Sequence, residues 1–307
     1  MRPNPVLKKL GFDENDCLVV IHVDDVGMCQ ASVAAFEDLY GFGLVSSGAV
    51  MVPCPWFLEA ARLPQKIPGV DLGVHLTLTS EWESYRWGPV STRDPASGLL
   101  DAQGFFYRTT AEVQEFGDPE AVQVELNAQM QRAVAAGIHP THADTHMGAV
   151  VHMKFIQAYL QLALEYQMPP MMLRLDEAGW RAINSEHSGA ALDADAIALA
   201  VQMVDTLEEM GIPLLDAIRH LHLDSNPAER MRLAKEIFSA LQPGVTHFII
   251  HAAKDTPELR AIAPDWECRV ADYHTFMQEE LREHIQNIGI QVIGYRDLQE
   301  LMRASNP

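Results

Sequence analysis

A (β/α) barrel of six to eight parallel strands is the fold class that the sequence predicts, and three observations carry it. Short apolar or β-branched runs alternate with longer amphipathic stretches, the pattern of repeated strand-helix units around a mostly parallel sheet. Eight such runs occur, at 17–23, 47–52, 71–76, 141–145, 171–175, 214–223, 246–251 and 291–294. The chain has 307 residues, 48% hydrophobic and 21% charged, enough to fill one large core, so a single domain over 1–307 is expected.

The elements justify themselves in order. Cys17 to Val23 is continuously apolar, as a strand covered on both faces must be. The segment 119–136 has Asp118 as N-cap, Pro119 in the first turn and Gly137 to end it. Segments 155–166, 196–210, 227–241 and 273–287 repeat its helical spacing of apolar residues. Two stretches, 79–110 and 176–195, break the alternation and are richer in Gly, Ser, Asp and aromatic residues. Each follows a predicted strand, so on a barrel both overhang the C-terminal face as insertions that shape a substrate site.

Composition excludes several function classes. A formal charge of −20, from 42 acidic and 22 basic residues, repels phosphate backbones and anionic membranes, so no nucleic-acid or membrane partner is expected. No run is long and apolar enough to span a bilayer, and Met1 to Phe12 lacks the apolar stretch of a secretory signal. Cys17, Cys29, Cys54 and Cys268 lie far apart with no CxxC pair, which fits buried apolar side chains in a reducing cytoplasm. No Gly-x-Ser-x-Gly element is present, so a serine hydrolase is not indicated.

The chemistry-bearing residues sit at strand ends. The first strand closes with His22-Val23-Asp24-Asp25-Val26-Gly27. Adjacent carboxylates repel, so such a pair calls for a nearby positive charge, often a metal; a turn with an Asp N-cap is the alternative. His75 lies inside Gly73 to Thr79, where a lone histidine is more often a hydrogen-bonded core residue than a ligand. His142, Asp144 and His146 share one face by the two-residue period of a strand. Arg174 ends the fifth strand and His251 terminates the apolar Phe248-Ile249-Ile250, while His220 and His222 fit a solvated face. Together Asp24, Asp25, His75, His146, Arg174 and His251 fall at or near the C-terminal ends of five different predicted strands, the edge where α/β folds build active sites. An Asp with two His, a second carboxylate and a further His are the parts of a metal-assisted hydrolase. Arg174 is expected to hold Asp24 ionised by charge pairing or to bind substrate.

These residues bring a resemblance with them. The chain resembles the YdjC-like carbohydrate deacetylases, a family that includes chitooligosaccharide and hopanoid-biosynthesis deacetylases. The similarity rests on Val19 to Gly27, Gly43 to Met51, Leu72 to Thr79, His142 to His146, Leu173-Arg174 and the closing Gly294 to Leu298. It implies an irregular, TIM-barrel-like β/α barrel, commonly a homodimer, that removes an N-acetyl group from a mono- or short oligosaccharide. It also implies that Asp25, His75 and His146 hold one divalent ion, Zn²⁺ or Mg²⁺, with Asp24 as general base and His251 as general acid. Where the family usually continues with a polar pair after Asp-Thr-His, this chain has Met147-Gly148, and the family's His-Pro-Gly is here His251-Ala252-Ala253-Lys254. Trp82, Tyr85 and Trp87 lie outside the general pattern and either stack on a sugar or anchor the loop that bears them. Two other readings stand beside the deacetylase: a metal-dependent hydrolase of another amide or ester, and a catalytically silent sugar-binding protein. The complete set of Asp24, Asp25, His75, His146 and His251 argues against silence, since a binding module needs no general base.

Overall fold

The computed structural model describes residues 2–186 and 193–305. Seven parallel strands form its sheet: β1 (Cys17–Val26), β2 (Ser47–Val50), β3 (Leu72–Leu76), β4 (Ala143–Thr145), β5 (Ala217–His220), β6 (Gly244–Ile250) and β7 (Gln291–Val292). Their order is β4-β3-β2-β1-β6-β5. β6 occupies one edge of β1 from Cys17 to Val23, and the other edge is shared between β7 at Leu18 and Val19 and β2 from His22 onward.

The expected fifth strand, 171–175, is not a full strand. Its neighbourhood makes only isolated bridges, Ala143 with Pro170 and Leu173 with Leu215. Pro169 and Pro170 carry no N–H, so they cannot donate into a ladder beside β4. These bridges span the gap between β4 and β5 and curl the sheet into an irregular barrel with a weak seam. The helix expected at 273–287 is two helices, Trp266–Phe276 and Glu279–Asn287, broken where Gln278 turns extended at ψ 131° so that Leu281 and Ile285 face the core. Helix Pro119–Ala135 starts as read from the sequence, with the Asp118 side chain accepting from the Ala121 N–H at 2.9 Å. No helix among the described residues is long and apolar enough to cross a membrane.

The barrel lumen changes character along its axis. On β1 the inward residues run Leu18, Val20, His22, Asp24, while Val19, Ile21 and Val23 pack outward against the helices. The bottom is an apolar plug of Leu18, Val20, Leu215, Val245, Ile293 and Tyr295, closed by the N-terminal helix Pro5–Lys9 through Val6 and Leu7. Above that plug the lumen is filled by polar rings and carboxylates: His22, His142 and His247, then Asp24, His75 and Asp144. Gly73 on β3 makes room for them, because a Cβ there would lie 2.5 Å from the His142 ring.

The packing at Gly73 yields the first prediction. Gly73→Ala forces the His142 ring against its neighbours, and a denaturant titration should show a loss of about 1–3 kcal/mol, as for overpacked cores. An unchanged midpoint would mean that the ring moves aside freely and that the lumen is loosely packed.

Candidate metal centre

Local backbone geometry sets the aspartate pair. Strict alternation along β1 would send Asp24 and Asp25 to opposite faces of the sheet. Instead the β1–β2 register slips between Val23 and Val26, and Asp25 takes a left-handed conformation at φ 61°. This bulge turns both carboxylates toward the lumen, where each reaches His75 Nε2, at 3.8 Å from Asp24 Oδ2 and 3.4 Å from Asp25 Oδ1. A left-handed non-glycine residue costs of order 1–3 kcal/mol and persists only where its surroundings fix it.

Three residues converge. Ligand atoms of Asp25, His75 and His146 lie within 4.8 Å of one another, and all three residues are buried. His146 Nδ1 sits 3.1 Å from the same Asp25 Oδ1 that faces His75. That oxygen is buried and makes no hydrogen bond. The far ring nitrogens are anchored: His75 Nδ1 lies 2.9 Å from Asp144 Oδ1, and His146 Nε2 lies 3.1 Å from Glu81 Oε2. Carboxylates behind imidazoles fix the tautomer that leaves the inner nitrogen free to bind a cation. Two imidazoles and one carboxylate around an unsatisfied oxygen therefore fit a divalent ion.

Electrostatics point the same way. Burial alone would raise the pKa of Asp25, but the Arg269 guanidinium and His146 outweigh it and hold the carboxyl well below its usual range. Burial is likewise outweighed at Asp24, where His75 and the hydrogen bond from His22 lower the pKa. Burial would lower His146, yet Glu81 and Asp25 push it up to about 9, and Asp144 and Asp24 raise His75 well above normal. The pocket thus attracts cations, protons among them, and a metal taken up here would release them.

His251, at the end of β6, places Nε2 3.9 Å from Asp24 Oδ2 on the side away from His22. Its backbone N–H donates to Asp272 at 3.1 Å, and its Nδ1 is buried without a partner. Burial pushes its pKa down.

A second buried group of possible ligands, His22, Asp24, Asp144 and His247, lies just below. Its central ring is already engaged on both nitrogens, His22 Nδ1 with Asp24 at 2.8 Å and Nε2 with His142 Nε2 at 2.8 Å. Burial and the neighbouring His22 bring the His247 pKa to about 3, so that ring is neutral. This layer is a hydrogen-bonded floor to the site.

Arg174 corrects the sequence reading. It does not pair with Asp24; it points to the opposite end of the barrel, bonding Glu208 at 2.7 Å and Asp216 at 2.9 Å. Asp216 there also accepts from Asn4 and from the Val245 N–H at the start of β6. The guanidinium that reaches the aspartate pair is Arg269, 2.7 Å from Asp25 Oδ2 and tied to Asp265 at 2.8 Å. Sequence reasoning missed it, along with Asp144's support of His75 and the Glu81 contact. Asp265, Arg269 and Asp272 fall at helical spacing, a charged stripe that ordinarily means a solvated face, whereas Arg269 and Asp272 are buried. His220 and His222 are exposed beyond the centre, with rings 4.2 Å apart. Part of the 176–195 insertion lies outside the described residues; Glu177–Glu186 is a helix.

The 79–110 insertion covers the centre with its aromatic residues turned inward. Trp82 and Trp87 are buried, and Trp87 Nε1 donates to the Thr79 carbonyl at 2.7 Å. The Tyr85 hydroxyl donates to the Met28 carbonyl at 2.6 Å. Trp87 stands 6.3 Å from the His146 ring and Trp82 lies under the Arg269 guanidinium at 5.5 Å. They anchor the loop and wall the site instead of offering an exposed stacking face.

Known proteins match this chain along most of its length. The family model described as YdjC-like protein matches residues 18–287. The chain is 31% identical over 283 residues to a carbohydrate deacetylase of Thermus thermophilus, covering 90% of this chain and 92% of that one. It is 32% identical over 133 residues to a chitooligosaccharide deacetylase of Yersinia enterocolitica, covering 42% of this chain and 49% of that one. A solved structure of a putative cellobiose-phosphate cleavage protein from Enterococcus faecalis superposes with a TM-score of 0.72 at 21% identity, over 92% of this chain and 99% of that one, which shows the shared fold.

The reassignment of Arg174 is testable. Arg174→Met removes a buried guanidinium from Glu208, which keeps Arg2, and from Asp216, which keeps Asn4 and the Val245 N–H, so stability should fall by about 1–3 kcal/mol while divalent-ion uptake by the folded protein is unchanged. Chemical denaturation and metal analysis measure the two effects. Loss of ion uptake at unchanged stability would return Arg174 to the site.

Proposed function

We propose that this chain, which belongs to the YdjC-like family, is a metal-dependent deacetylase that hydrolyses the N-acetyl group of an amino sugar presented as a mono- or short oligosaccharide. The observation that carries the reading is the unsatisfied Asp25 Oδ1 facing His75 and His146 beside a second carboxylate, Asp24, and a strand-ending His251. The names of the curated relatives supply the substrate class.

In this reading Asp25, His75 and His146 hold a divalent cation, Zn²⁺ or Mg²⁺, which would polarise the acyl oxygen and make water more acidic. Asp24 then has one task. Its Oδ1 is engaged by His22, so Oδ2 is the atom that takes the proton of the attacking water. His251 Nε2, close to that oxygen, delivers a proton to the leaving nitrogen as the carbon–nitrogen bond breaks. Burial lowers its pKa, so the ring starts neutral, and the proton it delivers is the one that Asp24 Oδ2 has taken from the water. Arg269 balances the charge on Asp25, and the Trp82–Trp87 loop keeps bulk water from the reacting groups. Family resemblance makes a homodimer the working form, and four scattered cysteines with no CxxC pair suit a reducing cytoplasm.

The base and the ligands separate by mutation. Asp24→Asn should keep the bound ion and lose about 10²–10⁴ of the turnover, because an amide cannot take the proton. His75→Ala and His146→Ala should lose ion uptake and turnover together. Metal analysis after dialysis and acetate release from di-N-acetylchitobiose are the readouts. Full turnover in Asp24→Asn, or a full ion complement in both histidine variants, contradicts these assignments.

A further inference from the structure

Below the three proposed metal ligands the lumen holds a chain of buried polar side chains that ends on Asp24. His22 Nδ1 lies 2.8 Å from Asp24 Oδ1, and His22 Nε2 lies 2.8 Å from His142 Nε2. His142 Nδ1 is 3.0 Å from Thr141 Oγ1, whose hydroxyl bonds Asp71, and Asp71 accepts from Ser47 at 3.1 Å and from the Arg296 N–H at 2.8 Å. His142 is also stacked on Tyr295, with ring centroids 3.9 Å apart and an interplanar angle of 14°. Gly73 leaves the space that lets it stand there. Each of His22, His142, Thr141 and Asp71 is buried.

We propose that His22, held by His142, is a positioning residue that fixes the rotation of the Asp24 carboxylate and so selects Oδ2 as the basic atom. An ionised carboxylate can only accept hydrogen bonds, so His22 Nδ1 carries the hydrogen and donates to Oδ1. The other oxygen is left toward His75 and His251, at 3.8 Å and 3.9 Å. A carboxylate on a short side chain has a broad torsional well, and nothing else bonds Asp24 Oδ1 among the described contacts. The His142 contact at Nε2 opposes a flip of the His22 ring, which would put Cδ2 in place of Nδ1 and Cε1 in place of Nε2. Misplacing a reacting group by about 1 Å can cost on the order of 100-fold in rate, which is the scale of effect assigned to this chain.

The inference rests on Asp24 acting as the base, so its test has one arm that needs no activity. Protein labelled with ¹⁵N-histidine, with His22→Asn used to assign the signals, reports which nitrogen of His22 bears hydrogen; the proposal requires Nδ1. A bare Nδ1 overturns it whatever the enzyme hydrolyses. In the second arm, acetate release from di-N-acetylchitobiose is compared for His22→Asn, whose amide nitrogen falls near the Nδ1 position, and His22→Gln, whose amide reaches toward Nε2. The asparagine variant should keep kcat within about threefold, and the glutamine variant should lose about 100-fold in kcat with little change in KM, both retaining ion content. Equal activity in the two variants, high or low, or losses that follow melting temperature and not the identity of the amide, overturns the proposal. If the unaltered protein releases no acetate, the substrate reading fails and the nitrogen spectrum still decides this one.

Discussion

The structure turns on a concentration of negative charge at the top of an enclosed lumen. Asp24, Asp25 and Asp144 are buried within reach of one another's partners, and Glu81 closes in from the covering loop. An isolated buried carboxylate costs several kcal/mol, so each needs a partner that the fold must supply. Arg269 is brought in from helix Trp266–Phe276 for Asp25, His22 is set under Asp24, and His75 is set against Asp144. One oxygen, Asp25 Oδ1, is left over with two ring nitrogens facing it. In the proposed function a divalent cation held by these three residues would take the place of the protons that the raised histidines attract there.

Much of the architecture can be read as a consequence. The lumen is apolar where Leu18, Val20 and Val245 face it and polar where His22, His142 and His247 do, so the same strands carry a stabilising plug at one end and chemistry at the other. The bulge at Asp24-Asp25 is the device that overrides strand alternation and aims two adjacent carboxylates the same way. The buried tryptophans of the 79–110 insertion complete the enclosure, because a low-dielectric surround strengthens each of these charge interactions.

Legibility in the sequence followed the strength of local signals. β1, β2, β3 and β6 stand out because a continuous apolar run has one structural meaning when bounded by turns, and histidines or aspartates at their ends then fall near a common edge. That edge gathered six candidates, and the family resemblance singled out Asp25, His75 and His146, whose ligand atoms lie within 4.8 Å of one another. Arg174 failed the same logic because Met171 to Leu175 follows two prolines and forms bridges instead of a strand, which sends the guanidinium to the bottom of the barrel. Arg269 was hidden for the opposite reason: its charged helical stripe looks solvated until the tertiary fold buries it against Asp25. The break between helices at Met277 and Gln278 was equally invisible, since both halves keep apolar residues at helical spacing. The role of His22 could not be inferred either, because a histidine within an apolar strand gives no sign of which nitrogen faces which partner.

The central claim is that Asp25 Oδ1 is met by a metal ion. Anomalous diffraction from crystals grown with Zn²⁺ and collected at the zinc edge addresses it without reference to any substrate. The account predicts one strong peak bounded by Asp25 Oδ1, His75 Nε2 and His146 Nδ1, at roughly 2.0–2.2 Å from each once they close on it. No peak there with fully zinc-loaded crystals, or a peak among His22, Asp24, Asp144 and His247 instead, would contradict it.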